Sequence, residues 1–575
     1  FCLSAMLAYL NFDESRRRSY YFTALLLFVL GLLTKTPMTA MLPATLLVIF
    51  WWQRGSLSWQ QDMIPLLPFF VLGVLGGLVT AWVEQEVLGA EGTDFELTFL
   101  QRGLLASRVI WFYLSKLLWP ANLIFIYPRW KIDPWEWWQW LFPIATLGMF
   151  LGLWAIRRKW RGPLAAWLIF VGGLVPVLGF LNVYPFIFSF VADHYQYMAS
   201  LGIIVLISGG IATGLERASL PLRRVGVAVC ILMVGTLAVL SSNQSRMYGD
   251  VVTLYRTTLE RNPDSWMPHN NLGTILSAQG HHLEAIEHYR AAIRIRPNYF
   301  SGHANLGMAL AATGQMPEAF ALLDKAIGLV PDSVNAHIYL GNALTNAGRQ
   351  EKAIDQYRAA LALKPEDPVT LNSLGAALTT IGQLPQAIEH LQHAVRLYPD
   401  YAEARGNLGN ALASSGKFSE GIAELQRAVA LNPRDSWTVS NLGIALVQAG
   451  RLEEAIQQFE HAAQLDPSAY AHNNLGAALM KTGRLPEAFD EFQKSILLDP
   501  RYVQAYANLA QVLKLSNRTQ EAIVTAERGI EIARSTGDKA LMGQLEEWLA
   551  QLQAELRDEN EVQASPQQTQ PSLKP

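Results

Sequence analysis

Cysteine and basic charge are both scarce in this sequence. Only two of its 575 residues are cysteines, Cys2 and Cys230, and both lie inside apolar segments, so they do not indicate a redox compartment. The formal net charge is −3, and the missing basic excess argues against nucleic-acid binding. No phosphate-binding loop, dinucleotide-binding glycine pattern or nucleophile elbow occurs, so the familiar motifs of soluble enzymes are absent.

Hydrophobic residues make up 51% of the chain, but they are unevenly distributed. Up to about Ser242 the sequence consists of apolar runs rich in Trp, Phe and Leu, and beyond it Ala, Glu, Gln and Arg recur at helical spacing. The runs 63–82, 138–156 and 225–240 are long enough, or nearly so, to cross a hydrocarbon layer of ~30 Å at ~1.5 Å per residue. We therefore predict a multi-pass membrane domain followed by a soluble part.

Basic clusters predict the orientation of these spans. Arginine and lysine cluster near residues 16–18, 157–161 and 217–224, and such clusters favour the cytoplasmic side of short loops. The acidic loop 84–96 and the loops 131–136 and 183–197 are then expected outside. The chain after Ser242 is predicted to be extracytoplasmic, in the periplasm, at the cell exterior or in the ER lumen.

One lysine, Lys35, interrupts the apolar stretch 28–52 and is followed by Thr36 and Pro37. A lysine at the centre of a membrane helix costs about 2.5–3.5 kcal/mol, so a place near the interface is expected. We predict a hairpin with arms 21–34 and 38–52 and with Lys35 at its outer tip. The lysine then either snorkels to water or faces a polar groove and pairs with an anionic ligand.

The segment 104–119 carries Arg108 and Lys116 and is harder to place. A normal crossing there would put the 157–161 cluster outside. We expect a partly buried or interfacial helix on the outer side. The alternative is a tilted span compensated by a re-entrant piece at 121–127.

A period of 34 residues runs through the second part of the chain. Its prolines are Pro263, Pro297, Pro331, Pro365, Pro399, Pro433, Pro467 and, after a shorter step, Pro500. Small residues recur in step with them, for example Gly273 and Gly307, or Ala285 and Ala319. This combination resembles the tetratricopeptide repeat, in which each repeat contributes two packed helices.

The predicted fold class is therefore all-α, with a multi-pass transmembrane helical domain followed by an α-solenoid. We expect the membrane domain at residues 1–243 and a linker with a partial repeat helix at 244–265. Eight repeats at 266–536 and a capping helix at 537–556 follow. The Gln-, Pro- and Ser-rich tail 557–575 is predicted to be disordered.

Six repeats carry an asparagine two residues before the small residue of their first helix. These residues are Asn271, Asn305, Asn407, Asn441, Asn474 and Asn508, while Tyr339 and Ser373 interrupt the series. An asparagine offers both a donor and an acceptor, so a ladder of them can bind the backbone of an extended peptide. The Asn-Leu-Gly pattern resembles the repeats of O-GlcNAc transferases, where such a ladder holds substrate. The alternatives are hydrogen bonding between neighbouring repeats or a generic consensus residue of the repeat.

The histidines do not predict a metal site. His281, His282 and His288, or His390 and His393, lack carboxylates and cysteines at ligand spacing, so a solvated helix surface is favoured. A further series at one shared repeat position is attributed to packing. It comprises His269, His303, His337 and His472.

Three apolar strings occur in a fixed order before the repeats: "GLLTKTPMTAMLPATLLVIFWW" from Gly31, "WFYLSKLLWPANLIFIYPRW" from Trp111 and "ADHYQYMASLGIIVL" from Ala192. Together with the repeats they resemble the transmembrane-and-tetratricopeptide-repeat O-mannosyltransferase-like family and its bacterial relatives. That family belongs to the integral-membrane glycosyltransferases of the GT-C type. The resemblance extends over nearly the whole chain and favours a bacterial inner membrane.

The resemblance implies transfer of a sugar from a polyprenyl-phosphate donor to a protein acceptor held by the repeats. Lys35, Asp193 and His194 would then lie at the donor phosphate. Histidine replaces the family's arginine at His194, which weakens a permanently charged role there. The family's catalytic acid lies in an external loop expected before Phe1, because the sequence starts in an apolar stretch without a methionine. We therefore assign no catalytic residue.

Three function classes follow from these patterns. A GT-C-like glycosyltransferase, O-mannosyltransferase-like in its resemblance, is favoured, with a membrane lipid carrier and a protein or peptide acceptor as partners. The alternative is a non-enzymatic, membrane-anchored scaffold that assembles envelope proteins. A transporter is disfavoured because the membrane half shows no internal repeat.

Overall fold

The computed structural model describes residues 1–87 and 95–564, without the side chains of residues 35–37 and 558–564. Apolar helices make up its first part. They are α1 Cys2–Ser15, α2 Arg18–Thr39, α3 Leu42–Arg54, α4 Ile64–Trp82, α5 Phe99–Leu118, α6 Leu141–Ile156, α7 Gly162–Leu174, α8 Ser200–Arg217 and α9 Leu220–Ser245. Short 3₁₀ turns at Tyr184–Ile187 and Asp193–Gln196 lie between α7 and α8.

Helices of similar length alternate with tight turns in the second part. A single helix, α10 Val251–Arg261, precedes them. The first helices of the repeats, here called A helices, are α11 Trp266–Ala278, α13 Phe300–Ala312, α15 Val334–Asn346, α17 Pro368–Thr380, α19 Ala402–Ser414, α21 Ser436–Gln448, α23 Ala469–Lys481 and α25 Val503–Leu515. The second helices, the B helices, are α12 His282–Ile295, α14 Met316–Leu329, α16 Gln350–Leu363, α18 Leu384–Leu397, α20 Phe418–Leu431, α22 Leu452–Leu465, α24 Leu485–Leu498 and α26 Thr519–Thr536.

Four described helical segments are long and apolar enough to cross a membrane. They are Trp59–Val87, Trp137–Ile156, Ser200–Arg217 and Leu220–Tyr248. The sequence runs 63–82, 138–156 and 225–240 fall within three of these segments. We did not identify Ser200–Arg217 as a span from the sequence, because glycines, Thr213 and Glu216 interrupt its apolar pattern.

The chain doubles back near the end of α2. The Thr39 hydroxyl donates a hydrogen bond of 3.2 Å to the Gly31 carbonyl, although eight residues of straight helix would span ~12 Å. The chain therefore bends between Gly31 and Thr39, and a further turn follows before α3 begins at Leu42. The predicted hairpin tip falls within this bend, while the side chain of Lys35 lies outside the described residues.

In the first seven repeats a glycine of the A helix faces a large side chain of the B helix. A Cβ added at Gly443 of α21 would lie 2.6 Å from the ring of Phe459, sixteen residues later on α22. The last repeat differs, because it has two residues of intermediate size, Ala510 and Ala526, at the same separation. The close approach of the two helices therefore depends on their combined side-chain volume.

A second glycine series ends the A helices. These residues adopt φ between +72° and +84°, which is the left-handed conformation that lets the chain turn into the B helix. The series is Gly280, Gly314, Gly348, Gly382, Gly416, Gly450 and Gly483, and Asn517 with φ 61° takes the place in the last repeat. Asparagine is the residue that tolerates this conformation best after glycine.

The chain forms two compact units, residues 1–302 and 303–575, and the first unit contains the predicted membrane domain together with the first repeat. The first repeat belongs to the apolar unit because polar side chains tie it there. Arg261 Nη1 donates to the Leu123 carbonyl at 2.7 Å, and Asn262 Nδ2 donates to the Ile126 carbonyl at 3.1 Å. The Trp266 ring also packs 5.2 Å from that of Phe188.

The last helix, α27, extends over Lys539–Ala564 and passes the predicted end of the capping helix at residue 556. Residues 557–564, predicted to be disordered, are therefore helical. Their sequence contains no glycine and no proline before Pro566, so nothing in it ends the helix earlier. The rest of the predicted tail, residues 565–575, lies outside the described residues.

Candidate functional site

The A helices of the second unit form a layer of their own. From α15 to α25 each A helix packs against the next A helix as well as against its own B helix. Four members of the asparagine series, Asn407, Asn441, Asn474 and Asn508, lie on helices of this layer, and all six members are half-buried. These four therefore share one layer of packed helices within the second unit.

Asn407 and Asn508 hydrogen-bond to the preceding repeat. Asn407 Nδ2 donates to Asn372 Oδ1, and Asn508 Nδ2 donates to Asn473 Oδ1, both at 2.8 Å. Each acceptor lies 35 residues earlier in the sequence. Asn271 Nδ2, in the first unit, donates to the Tyr255 hydroxyl at 3.1 Å. For these three residues the structure supports hydrogen bonding inside the array, which was one alternative to peptide binding.

Asn441 and Asn474 differ from those residues. At the position that would supply an amide acceptor, the preceding repeats carry Gly406 and Ser440. The amide nitrogens of Asn441 and Asn474 are buried and have no hydrogen-bond partner within the described part of the chain. A buried donor without a partner costs about 1–3 kcal/mol, so these two amides would gain from a ligand carbonyl. Both residues are half-buried, so part of each side chain lies at the surface.

An exposed aromatic residue precedes each of these two asparagines by one helical turn. Trp437 is 49% exposed on α21, and Tyr470 is 44% exposed on α23. Residues four apart lie on the same face of a helix. Two consecutive A helices thus present the same arrangement, an exposed ring beside an unpaired amide. We call Trp437, Asn441, Tyr470 and Asn474 the aromatic-amide patch.

Three residues of the histidine series, His269, His337 and His472, bridge the two helices of their repeats. His269 Nε2 lies 3.1 Å from the Pro263 carbonyl, and its Nδ1 lies 2.9 Å from Nδ1 of His288 on α12. His337 makes the same pair of contacts, to the Pro331 carbonyl and to Gln356 Oε1.

Other repeats vary the bridge. His472 Nδ1 contacts Glu491 Oε2 at 2.6 Å, and Arg405 replaces histidine and binds Glu424. In all four repeats the B-helix partner lies nineteen residues after the A-helix residue. Sequence reasoning missed this constant separation of nineteen residues. It can be read from the sequence once the repeats are superimposed by their period, and it would have predicted hydrogen bonding instead of packing.

A second candidate site lies in the first unit around Asp193. The Tyr127 hydroxyl donates a hydrogen bond of 2.7 Å to Asp193 Oδ1. Burial raises the pKa of the Asp193 carboxyl above its usual range, although the bond from Tyr127 and the charge of Lys116 act against this. Lys116 Nζ itself donates to the Ala121 carbonyl at 2.6 Å. A half-buried carboxylate thus lies beside one cation and one phenol.

The backbone around Asp193 is fixed by Tyr113 of α5. Its hydroxyl donates to the Ala192 carbonyl at 3.1 Å and accepts from the Ala192 amide at 3.0 Å. Tyr113 is fully buried, so this pair of bonds anchors the 3₁₀ turn Asp193–Gln196 on the core of the first unit.

The structure describes two of the three residues predicted to bind a donor phosphate, Asp193 and His194, while the side chain of Lys35 lies outside the described residues. Asp193 is half-buried against Tyr127, whereas the neighbouring His194 is exposed with its ring 4.5 Å from that of Tyr195. Met38, three residues after Lys35, packs against the hydrophobic core that contains Tyr195.

The carboxylates of the loops predicted to be external do not form one cluster among the described residues. Glu96 and Glu136 are exposed, and Asp133 pairs with Lys131 at 3.5 Å. Asp94 lies outside the described residues. Among the side chains that are described, no three His, Cys, Asp or Glu residues come together as a metal-binding group.

Comparisons with known proteins agree on the repeats. A model of the C-terminal domain of cilia and flagella-associated protein 70 matches residues 232–440, and two tetratricopeptide-repeat models match residues 440–497 and 503–536. The chain therefore contains tetratricopeptide repeats, a fold suited to protein–protein interaction. No curated protein matches the chain.

Among solved structures, a tetratricopeptide repeat protein from Parabacteroides merdae is 17% identical, with a TM-score of 0.38 over 43% of this chain and 98% of its own. PilF of Pseudomonas aeruginosa is 20% identical, with a TM-score of 0.32 over 36% of this chain and 94% of its own. YrrB, described as a TPR protein with an unusual peptide-binding site, is 24% identical, with a TM-score of 0.26 over 31% of this chain and 92% of its own.

Proposed function

We propose that this protein is a membrane-anchored repeat protein that holds an extended segment of a partner protein at the aromatic-amide patch. The observation that carries the proposal is the repetition of one unpaired amide and one exposed ring on two consecutive A helices. Neighbouring helices pack about 8–10 Å apart, and an extended chain advances about 3.3 Å per residue. The two amides therefore match backbone carbonyls about three residues apart.

The chemistry of the patch favours a backbone-reading mode with little sequence selectivity. Each amide nitrogen can donate to a carbonyl that any residue provides. Trp437 and Tyr470 add flat apolar surfaces for proline, aliphatic or aromatic side chains at little cost in side-chain entropy. We expect the partner segment to be extended, uncharged at its centre and apolar at two positions.

The membrane anchor of the proposal is supported by two helices without a buried residue. Neither α6 nor α9 buries a single side chain, although both are strongly apolar. Exposure of so much apolar surface is unfavourable in water and favourable in a bilayer. We propose a multi-pass arrangement in a bacterial inner membrane, with the repeats on the extracytoplasmic side.

The peptide-binding proposal is tested with two matched double variants. A phage library of random dodecapeptides is selected against the full chain in detergent, and the affinities of the recovered peptides are measured. In N441A/N474A two ligand hydrogen bonds of about 0.5–1.5 kcal/mol each are lost, so affinity should fall by roughly 5–150-fold. The control, N407A/N508A, removes asparagines that are bonded inside the array and should leave affinity nearly unchanged.

The unfolding temperatures of the two variants should differ. N441A/N474A removes two unpaired buried donors and should maintain or raise the unfolding temperature. N407A/N508A leaves the acceptors Asn372 and Asn473 unpaired and should lower it. An equal loss of peptide affinity in both variants, or none in N441A/N474A, would refute the patch.

A second candidate function, sugar transfer, is favoured by the Asp193 site together with the resemblance to GT-C enzymes. A carboxylate with a raised pKa is a better proton acceptor at neutral pH and could deprotonate an acceptor hydroxyl. The same negative charge would repel a donor phosphate, so we assign phosphate contacts to cations such as Lys35 rather than to Asp193. The donor would be a polyprenyl-phosphate-linked sugar and the acceptor a protein.

Transfer from a polyprenyl-phosphate-linked radiolabelled sugar to the peptides recovered above tests this second function. We expect D193N to lose transfer by at least 100-fold, the lower range for a general base, and D133N to retain it. If the wild-type chain binds the peptides but transfers no sugar to them, the sugar-transfer proposal is refuted and the scaffold proposal is retained.

A further inference from the structure

Helix α5 carries three cations, and two of them have hydrogen-bond partners within the described part of the chain. The Arg102 guanidinium donates to the carbonyls of Leu97, Phe95 and Gly179 and to the Asn182 side chain. Lys116 Nζ donates to the Ala121 carbonyl. Arg108, midway between them and half-buried, forms no hydrogen bond or ion pair with any side chain or backbone group that the structure describes. Its five N–H donors need a partner from elsewhere.

Aromatic rings cover the guanidinium of Arg108. Its central carbon lies 4.2 Å from the ring centre of Trp130, 5.2 Å from that of Trp138 and 6.0 Å from that of Phe142. Rings stabilise the cation through its faces, whereas the N–H bonds point outward in the guanidinium plane. This geometry leaves a flat, oriented pair of donors, which suits the two oxygens of a phosphate.

Arg108 of α5 lies beside residues at the start of α6, and this gives the depth of the site in the membrane. Trp138 and Phe142 lie at the start of the candidate span Trp137–Ile156, and one turn further along α5 the Trp111 indole N–H donates to Thr146 Oγ1 at 3.0 Å. Trp135 and Trp137 beside the site are 94% and 74% exposed. Tryptophans collect at the membrane–water interface, the level at which lipid phosphates lie.

We propose that Arg108, framed by Trp130 and Trp138, binds the phosphate of an anionic glycerophospholipid of the surrounding bilayer. The inference rests on the membrane-anchor part of the proposed function and is independent of peptide binding. An anionic headgroup supplies the missing counter-charge, while the rings line the space beside its glycerol and upper acyl chains. The bound lipid would hold α5 against α6 at the interface.

The test measures lipid retention by the full chain, purified in detergent and stripped of lipid. Phosphatidylglycerol is added, and binding is followed by native mass spectrometry and by the unfolding temperature. A charge-assisted contact of this kind corresponds to about 10–100-fold in affinity, so R108Q should bind phosphatidylglycerol that much more weakly. R108K keeps the positive charge but loses the planar guanidinium, so its affinity for phosphatidylglycerol should lie between those of the wild type and R108Q. K131Q removes a nearby exposed charge and should match the wild type.

Several results would overturn the proposal. Equal binding by R108Q and wild type would show that Arg108 holds no lipid. Displacement of phosphatidylglycerol by inorganic phosphate at the same concentration would reveal a site for a free anion instead. Equal retention of zwitterionic phosphatidylcholine would show that the headgroup charge is not recognised.

A measurement on the wild-type chain covers the case in which R108Q fails to fold. Photoactivatable phosphatidylglycerol should crosslink to the segment 105–142, and crosslinks elsewhere only would contradict the site. Alkaline extraction of membranes checks the anchor separately. A chain that resists extraction yet ignores phosphatidylglycerol refutes the lipid site but not the anchor.

Discussion

At the scale of single residues, the bridge between A and B helices makes the first repeat sensitive to pH. His269 Nε2 contacts the Pro263 carbonyl, so its Nδ1 is the acceptor for His288. Burial lowers the pKa of both histidines, and their mutual repulsion adds to this for His269. The acidic groups Asp264, Glu284 and Glu287 oppose the shift, and Arg256 and Arg294 support it.

The sign of the resulting pH dependence follows from proton binding. Below about pH 6.5 both histidines become protonated in the unfolded chain, whereas burial favours their neutral form in the folded chain. The free energy of unfolding should therefore fall as the pH drops from 7.5 towards 5.5. Unfolding temperatures of the full chain across this range check the prediction.

Other repeats of the same chain supply the matched variants. H288Q copies the His337–Gln356 bridge and should flatten the pH dependence, because one titrating group is gone. H288E places a carboxylate opposite His269, in the position that Glu491 has opposite His472. A carboxylate beside His269 should favour its protonated form, so stability should rise on mild acidification. A pH profile unchanged in H288E would contradict the role of this bridge.

At the scale of elements, the small-against-large pairing predicts how a repeat tolerates an added methyl group. Gly443→Ala places a Cβ against Phe459, which is almost completely buried, so neither residue can move away cheaply. Overpacking of this kind should destabilise the array by about 1–3 kcal/mol. Chemical denaturation of the full chain, followed through the repeats, measures the change.

A control glycine lies on α14. A Cβ at Gly328 meets no atom within 4 Å, so Gly328→Ala should be neutral or stabilise by up to about 1 kcal/mol. Combining Gly443→Ala with Phe459→Leu should recover part of the loss, because the pair then approaches the Ala510–Ala526 solution. An equal effect of both glycine substitutions would point to helix propensity rather than to packing.

At the scale of the whole molecule, the basic clusters predict an orientation that fusions can test. A reporter joined after Arg161 should report the cytoplasm, and one joined after Ser245 should report the outer side. The candidate span Ser200–Arg217 adds a crossing between the loop 183–197 and the cluster at 217–224. This crossing is what the charge distribution requires. Both reporters on one side would show that the orientation is wrong.

The sequence by itself determined the repeat array almost completely. A strict 34-residue period encodes the same local solution eight times, and the helices begin and end at Trp266 and Thr536, where the period places them. Such repeats depend mainly on contacts between neighbours, so local patterns suffice. Apolar runs likewise indicated three of the four candidate spans, because length and composition are local properties too.

Only the tertiary structure decided which side chains are available for a ligand. All six asparagines look alike in sequence, yet Asn407 and Asn508 are bonded inside the array, while the amide nitrogens of Asn441 and Asn474 have no partner among the described residues. The difference depends on a residue 34 or 35 positions away on another helix. The attachment of the first repeat to the apolar unit, and the lack of a hydrogen-bond partner for Arg108 in the described part of the chain, were hidden for the same reason. Each depends on contacts between segments distant in sequence, which a local pattern does not encode.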